Sequence, residues 1–359
     1  MARLKLEMEH EKISLGFYPY TYVRTTVMRS LLFKKEDYQK MLKMSFNEMA
    51  KFLQDSNYRK EINELATQYS GSDLIELALN KSLAESFKKL IRISSKELQL
   101  LVMEYAKRKD IDDLKTILRG KFTNTDEKTI AKSITAAGTL SHGFLISLLK
   151  KESIEEILKN NGLVEFALFK EGIKSMKESG SLVGIENALD KYYYSRLMKF
   201  SKSLPKEGAL FRDFLLKEAE TLNILTLLRL KKAQFNKETI KNFIILSGDK
   251  AKDAKIIQLA SIDDMEQLSK AFAKTEYKSI MENGIEELKK TGSLIPLEIE
   301  LHKHLLNRSV LFMHQHLLSI DVILGYMFAK DIEVRNLKLL VKGKQLGLGE
   351  QFIESQLIY

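Results

Sequence analysis

One pattern occurs three times in this chain, and it constrains the fold more than any other feature. The segments GSDLIELAL (71–79), GSLVGIENAL (180–189) and GSLIPLEIEL (292–301) each open with Gly-Ser and reach an apolar–Glu pair, then place Leu three residues on. The pairs are Ile75-Glu76, Ile185-Glu186 and Leu297-Glu298, followed by Leu79, Leu189 and Leu301. Gly-Ser reads as a helix start, with Ser as N-cap and Gly as punctuation. Downstream, KDIDDLKTILRGK (109–121), EAETLNILTLLRLKK (218–232) and KDIEVRNLKLLVKGK (330–344) align. Asp113, Asn223 and Asn336 share one position; Arg119, Arg229 and Lys342 share another. The Glu-to-Asp/Asn separation is 37, 37 and 38 residues, and the repeat pitch is 110 then 112 at Glu, 110 then 113 at Asp/Asn. Two anchors keeping one pitch predict three homologous helical domains, 1–122, 123–235 and 236–359. Upstream, LLFKKEDYQKML (31–42), LLKKESIEEIL (148–158) and SIDDMEQL (261–268) form a weaker third match.

Composition supports an all-α fold. The 359 residues include three prolines, where average usage would give roughly 18. Proline interrupts helix interiors, so its scarcity suits a chain built almost wholly of helix. Period-2 strand patterns bounded by turn signals are hard to find. The absence of cysteine excludes a disulfide framework and thiolate chemistry. MARLKLEMEHEKISLG (1–16) alternates charges and lacks the apolar core of a secretion signal. SVLFMHQHLLSIDVILGYMFAK (309–330) is broken by His314, Gln315, His316 and Asp321, so it reads as a buried helix pair and not a membrane span.

Catalytic motifs are not visible. Gly120-Lys121 and Gly343-Lys344 lack the other elements of a phosphate loop, and Gly343, Gly347 and Gly349 read as helix termination. His302, His304, His314 and His316 stand too far round and along a helix to share a metal. The run YYY (192–194) reads as helix packing. Net charge is +10 and uneven: 23 basic against 17 acidic residues in 1–122, 18 against 14 in 123–235, and 17 against 17 in 236–359. Most of these charges solvate helix faces; an excess of this kind also suits an acidic protein surface or anionic lipid. A helical-repeat scaffold or nucleic-acid-binding protein is the alternative reading, and would carry a basic stripe in one register of every copy. The lysines are read here as keeping no register.

Asn336 sits amid apolar residues, on a helix face with Ile332, Leu339 and Leu340. A buried amide left unpaired costs about 1–3 kcal/mol, so Asn336, with Arg335, is expected to tie neighbouring helices together. Recurrence of the polar position favours that structural reading.

The stretch YPYTYVRTTVMRSLL (18–32), the triplication and ILGYMFAKDIEVRNLKLLVKGKQLGL (323–348) resemble the C subunit of archaeal A-type ATP synthases. That family includes the bacterial V/A-type ATPase C subunit and the eukaryotic V-ATPase d subunit. Tyr326, Lys330, Ile332, Glu333, Arg335, Asn336 and Leu337 carry the most specific match; the middle copy departs most, having Asn223 with no Arg before it. The resemblance implies a funnel of three helical domains about a pseudo-threefold axis. It implies a non-catalytic rotor subunit, peripheral on the cytoplasmic face of the cell membrane, between the central stalk and the membrane proteolipid ring. There it would transmit the rotation that couples ATP turnover to proton or sodium-ion transport. Central-stalk subunits, the proteolipid ring and anionic lipid headgroups are then the expected partners, with no cofactor, metal, nucleic acid or small-molecule substrate. Glu76, Asp113, Glu186, Asn223, Glu298, Tyr326, Glu333, Arg335 and Asn336 are expected to act as repeat-motif residues, in the scaffold or at an interface.

Overall fold

A computed structural model describes residues 18–204, 208–315 and 320–359. The fold is all-α: among the described residues every regular element is a helix. In chain order these are α1 (Pro19–Ser30), α2 (Lys35–Lys43), α3 (Phe46–Gln54), α4 (Arg59–Leu65), α5 (Gly71–Ile93), α6 (Lys96–Phe122), α7 (Glu127–Ser133), α8 (His142–Leu149), α9 (Ile154–Lys159), a 3-10 turn (Phe166–Phe169) and α10 (Lys170–Ser179). They continue as α11 (Val183–Ser203), α12 (Ala209–Lys232), α13 (Lys237–Phe243), α14 (Lys250–Leu259), α15 (Met265–Ala271), α16 (Lys278–Thr291), α17 (Ile295–Gln315), α18 (Asp321–Gln345) and α19 (Glu350–Ser355). Residues 1–16, Pro205, His316 and the side chain of His314 lie outside the described part.

Short helices are started by side-chain caps. Ser45, Asp126, Ser141, Ser153, Asn236, Asp249 and Asp264 each accept a first-turn backbone N–H, supplying a partner the helix cannot. At the repeated Gly-Ser the recurring device is the glycine rather than a serine cap. Gly71, Gly180 and Gly292 all have positive φ, at 58°, 63° and 68°, a region L side chains avoid. Gly180 and Gly292 end α10 and α16 in the left-handed conformation. Ser181 and Ser293 accept from the N–H two residues on, whereas Ser72 lies inside α5. The upstream match also shifts in the first copy. LLFKKEDYQKML runs into α2, whereas by element order its α3, capped by Ser45, stands where α9 and α15 are capped by Ser153 and Asp264.

Six long helices set the architecture. They pack as pairs α5/α6, α11/α12 and α17/α18. The second helix of each pair also packs on the first helix of the next: α6 on α11, α12 on α17, and α18 back on α5. Aromatic residues from the second helices meet in the middle, with Tyr105–Phe214 ring centroids 6.3 Å apart and Phe214–Phe328 5.6 Å apart. One apolar cluster runs from Met28 to Ala219 and takes in Ile245, Ile299, Leu305 and residues between Ile320 and Ile358; another gathers residues of α12 to α17, from Ile224 to Leu301. The C-terminal residue joins the first of these, with Tyr359 stacked on Tyr38 at 5.9 Å.

Candidate functional site

The recurring polar position is a latch for the chain that follows it. Asn336 is buried; its Nδ2 donates to the Ile358 carbonyl at 2.5 Å and its Oδ1 accepts from the Ile358 N–H at 3.0 Å. Asn223 holds Ile245 the same way, at 2.8 Å for both bonds. Asp113 has no donor, and there the chain differs. Its two oxygens accept from the N–H groups of Thr135 and Ala136, each at 2.8 Å, and Ala136 adopts φ 50°. Burial pushes the Asp113 carboxyl up to about 6, against the lowering by those two N–H groups. In all three copies the latched residue lies 22 positions on. Between latch and catch, Asn124, Gln234 and Gly347 all turn left-handed, which reverses the chain at each helix end. Gly120 and Gly343 let the next short helix approach, since a Cβ there would lie 2.5 Å from Ile130 and 2.7 Å from Ile353.

A second set of residues precedes the latch by three and six positions. Lys330 and Glu333 are buried together beneath Tyr58. The Lys330 Nζ donates to Glu333 Oε1 and to the Tyr58 hydroxyl, both at 2.8 Å, and sits 4.0 Å from the Tyr58 ring centre. Tyr58 donates to Glu333 Oε1 at 2.6 Å, and the Phe33 N–H donates to Glu333 Oε2 at 2.6 Å. Lys217, Glu220 and Tyr277 repeat the trio, at 3.0 Å from lysine to carboxylate and 3.2 Å from hydroxyl to carboxylate. In the first copy Lys107 and Asp110 hold the same spacing. Phe169 precedes α10 as Tyr58 and Tyr277 precede α4 and α16, and it cannot donate. Asp110 instead accepts from the Thr139 N–H and hydroxyl and the Leu140 N–H, at 2.8, 2.7 and 2.9 Å. The spacing K-x-x-[DE]-x-x-[DN] is visible in the sequence, although an alignment anchored at the amide alone passes over it. These lysines do keep a register, contrary to expectation, but each is tied to a carboxylate and they form no open basic stripe.

The repeated Glu and the cation six residues after the latch meet across copies. Arg119 pairs with Glu186 through Nε and Nη2, at 2.5 and 2.8 Å, and Arg229 with Glu298 likewise, at 2.7 and 2.6 Å. Lys342 closes the series on Glu76 at 2.7 Å. Thus the first copy reaches the second, the second the third, and the third the first. Nearer the middle, Arg108 pairs with Glu218, and Lys109 bridges Asp112 and Asp331 at 2.8 and 2.7 Å. Arg108, Glu218 and Asp331 all lie five residues before a latch. Burial, with the positive charges of Arg335, Arg108 and Arg229 around it, pushes His302 down to about 3. Tyr326 is buried within α18, whereas Arg335 is exposed on it. Arg335 is therefore not a buried tie between helices as expected, because among the described residues nothing covers its side of α18.

The chain matches the family model described as ATP synthase (C/AC39) subunit over residues 22–356. It belongs to that family. It is 36% identical to the C subunit of the A-type ATP synthase of Methanococcoides burtonii over 346 residues, 95% of this chain and 94% of that one. The C subunit from Methanosarcina acetivorans is 36% identical over 354 residues, 98% and 95% of the two chains. That from Haloferax volcanii is 28% identical, with 94% and 97% covered. As a member of the ATP synthase C/AC39 family, the chain is a non-catalytic subunit of a membrane-associated complex. Among the described residues no helix is long and apolar enough to cross a membrane, and no group of His, Cys, Asp or Glu is placed to hold a metal ion.

Two expectations follow for this subunit. Glu333→Ala leaves the Lys330 ammonium buried without its carboxylate and costs about 3–5 kcal/mol, whereas Arg119→Ala, which breaks an exposed pair, costs about 0–1 kcal/mol. Urea unfolding compares the two; equal losses would mean that the buried trio holds nothing. For Asp113, the folded value lies above the unfolded one, so the folded state binds more proton between about pH 4 and 6. Stability owed to this side chain therefore falls as pH rises through that window. Against wild type, Asp113→Asn should gain by up to about 3 kcal/mol from pH 4 to 7. A difference that does not vary with pH contradicts the assignment.

Proposed function

We propose that this chain links the central stalk of an A/V-type ATP synthase to the membrane proteolipid ring, at the cytoplasmic face. In this reading it transmits the rotation that couples ATP turnover to proton or sodium-ion transport. We further propose that residues 1–122, 123–235 and 236–359 are homologous domains about a pseudo-threefold axis, forming a funnel.

The observation that carries this reading is the head-to-tail series Arg119–Glu186, Arg229–Glu298 and Lys342–Glu76. A torque-bearing spacer must not shear between its parts. Packed helices resist deformation, and clasps that return from the last copy to the first leave no open end. Arg335 is an exposed cation on the second helices where an acidic stalk end would seat; Arg108 and Arg229 near it are each already paired with a glutamate.

Co-purification tests the proposal. The full chain, expressed with its partner subunits, should isolate with both the proteolipid ring and the central stalk. Arg335→Glu should release the stalk and keep the ring. Because exposed charges are screened over about 8–10 Å at physiological salt, stalk association should slow as salt rises. Recovery of neither partner with the wild-type chain would overturn the reading.

A further inference from the structure

Helix α1 is built inside out. Thr21, Thr25 and Met28 are its buried residues. Thr21 donates to the Ile93 carbonyl at 2.7 Å and Thr25 to the Thr21 carbonyl at 2.7 Å. The apolar residues face outward: Tyr20, Val23, Val27 and Leu31 are 64, 56, 56 and 53% exposed. At steps of three, four and four residues they share one face of a helix. A helix that buries Thr21 and Thr25 while it turns both its valines out is presenting an apolar stripe to something other than water.

The N-terminal end of that stripe borders a cavity of about 560 Å³ lined by Tyr18, Tyr20, Arg24, Lys89, Arg92 and Ser95, among others. Arg24 and Arg92 are exposed and Lys89 half-buried. Among the described residues, none of the three cations is in an ion pair, unlike the lysines of the repeated trio. The N-terminus of the 27-residue α6 opens on the same cavity through Ser95, whose hydroxyl caps nothing. Free backbone N–H groups there favour an anion. Glu76 and Ile93 lie 17 residues apart on α5, so the cavity is roughly 26 Å along that helix from the Lys342–Glu76 clasp. Clasps and cavity therefore sit towards opposite ends of the helix pair.

We propose that this end is a docking surface for an anionic bilayer, with the α1 stripe entering the headgroup boundary and Arg24, Lys89 and Arg92 taking lipid phosphates. Three unpaired cations beside an outward apolar face match both parts of such a surface, charge and hydrocarbon. Neighbouring carboxylates of a protein partner would answer the cations but not the stripe's end-to-end exposure. The inference deepens the membrane-associated reading above and rests on it.

Flotation of the full chain with vesicles tests it. Binding is expected to vesicles of phosphatidylcholine with phosphatidylglycerol and not to phosphatidylcholine alone. Arg24→Gln and Arg92→Gln should each lower partitioning about fivefold. Val23→Ser with Val27→Ser should lower it in a way that low salt does not restore. All four positions are exposed, and unchanged melting curves check that the variants fold. Equal binding to neutral vesicles, or variants that float as wild type, would overturn the proposal. So would variants that lose the proteolipid ring in co-purification when the wild type binds no vesicles, since the surface would then be a protein contact. If the wild type co-purifies with stalk and ring yet ignores anionic vesicles, only this inference fails.

Discussion

A side-chain amide that satisfies both backbone polar groups of one distant residue is the interaction on which the rest depends. Asn336 and Asn223 each bond the N–H and carbonyl of a residue 22 positions later. A long helix ending in water would leave its outgoing chain free. Here the amide draws that chain back along the helix, and a left-handed residue 11 positions on makes the reversal. The short helix that follows then packs over the helix end through Ile130, Ile240 or Ile353, all buried. With its outgoing chain folded back, the second helix brings Arg119, Arg229 or Lys342 to the glutamate of the next copy.

The charged groups divide by burial into two kinds. The exposed clasps have cations that are 56–61% exposed and contribute little each; their value lies in register, because each pair admits one partner. The Lys330–Glu333–Tyr58 trio is buried, so its hydrogen bonds must all be present or the cost is large. It ties the N-terminal segment, through Phe33 and Tyr58, to the last long helix. The first and last copies are thereby joined more deeply than the clasp alone would join them.

Much of this was legible. Scarce proline and the helix-forming composition foretold an all-α chain; the recurrence of Asp113, Asn223 and Asn336 marked one polar position three times, expected as a tie between neighbouring helices, and the partner each has lies 22 positions on in the chain. Other parts could not be read. Glu76 and Lys342 stand 266 positions apart in the chain, and only closure of the last pair onto the first brings them together. Asp113 looked interchangeable with Asn, yet a carboxylate can only accept, so it demands two N–H groups and a left-handed Ala136. Arg335 was expected to tie helices together with Asn336, but it is exposed on α18. The lysine and acid ahead of each latch were visible as spacing, but their meaning depends on Tyr58 and Tyr277, which lie far off in the chain.

The central claim is that the third copy closes on the first. Zero-length carbodiimide coupling tests it directly, because it joins an amine to a carboxylate only in contact, and Lys342 lies 2.7 Å from Glu76. Mass spectrometry of the digested, coupled chain should show an amide between Lys342 and Glu76 within one molecule, alongside the Lys81–Glu64 control at 2.5 Å. Coupling at the control with Lys342 unreacted, or joined to a carboxylate elsewhere, would contradict a closed series.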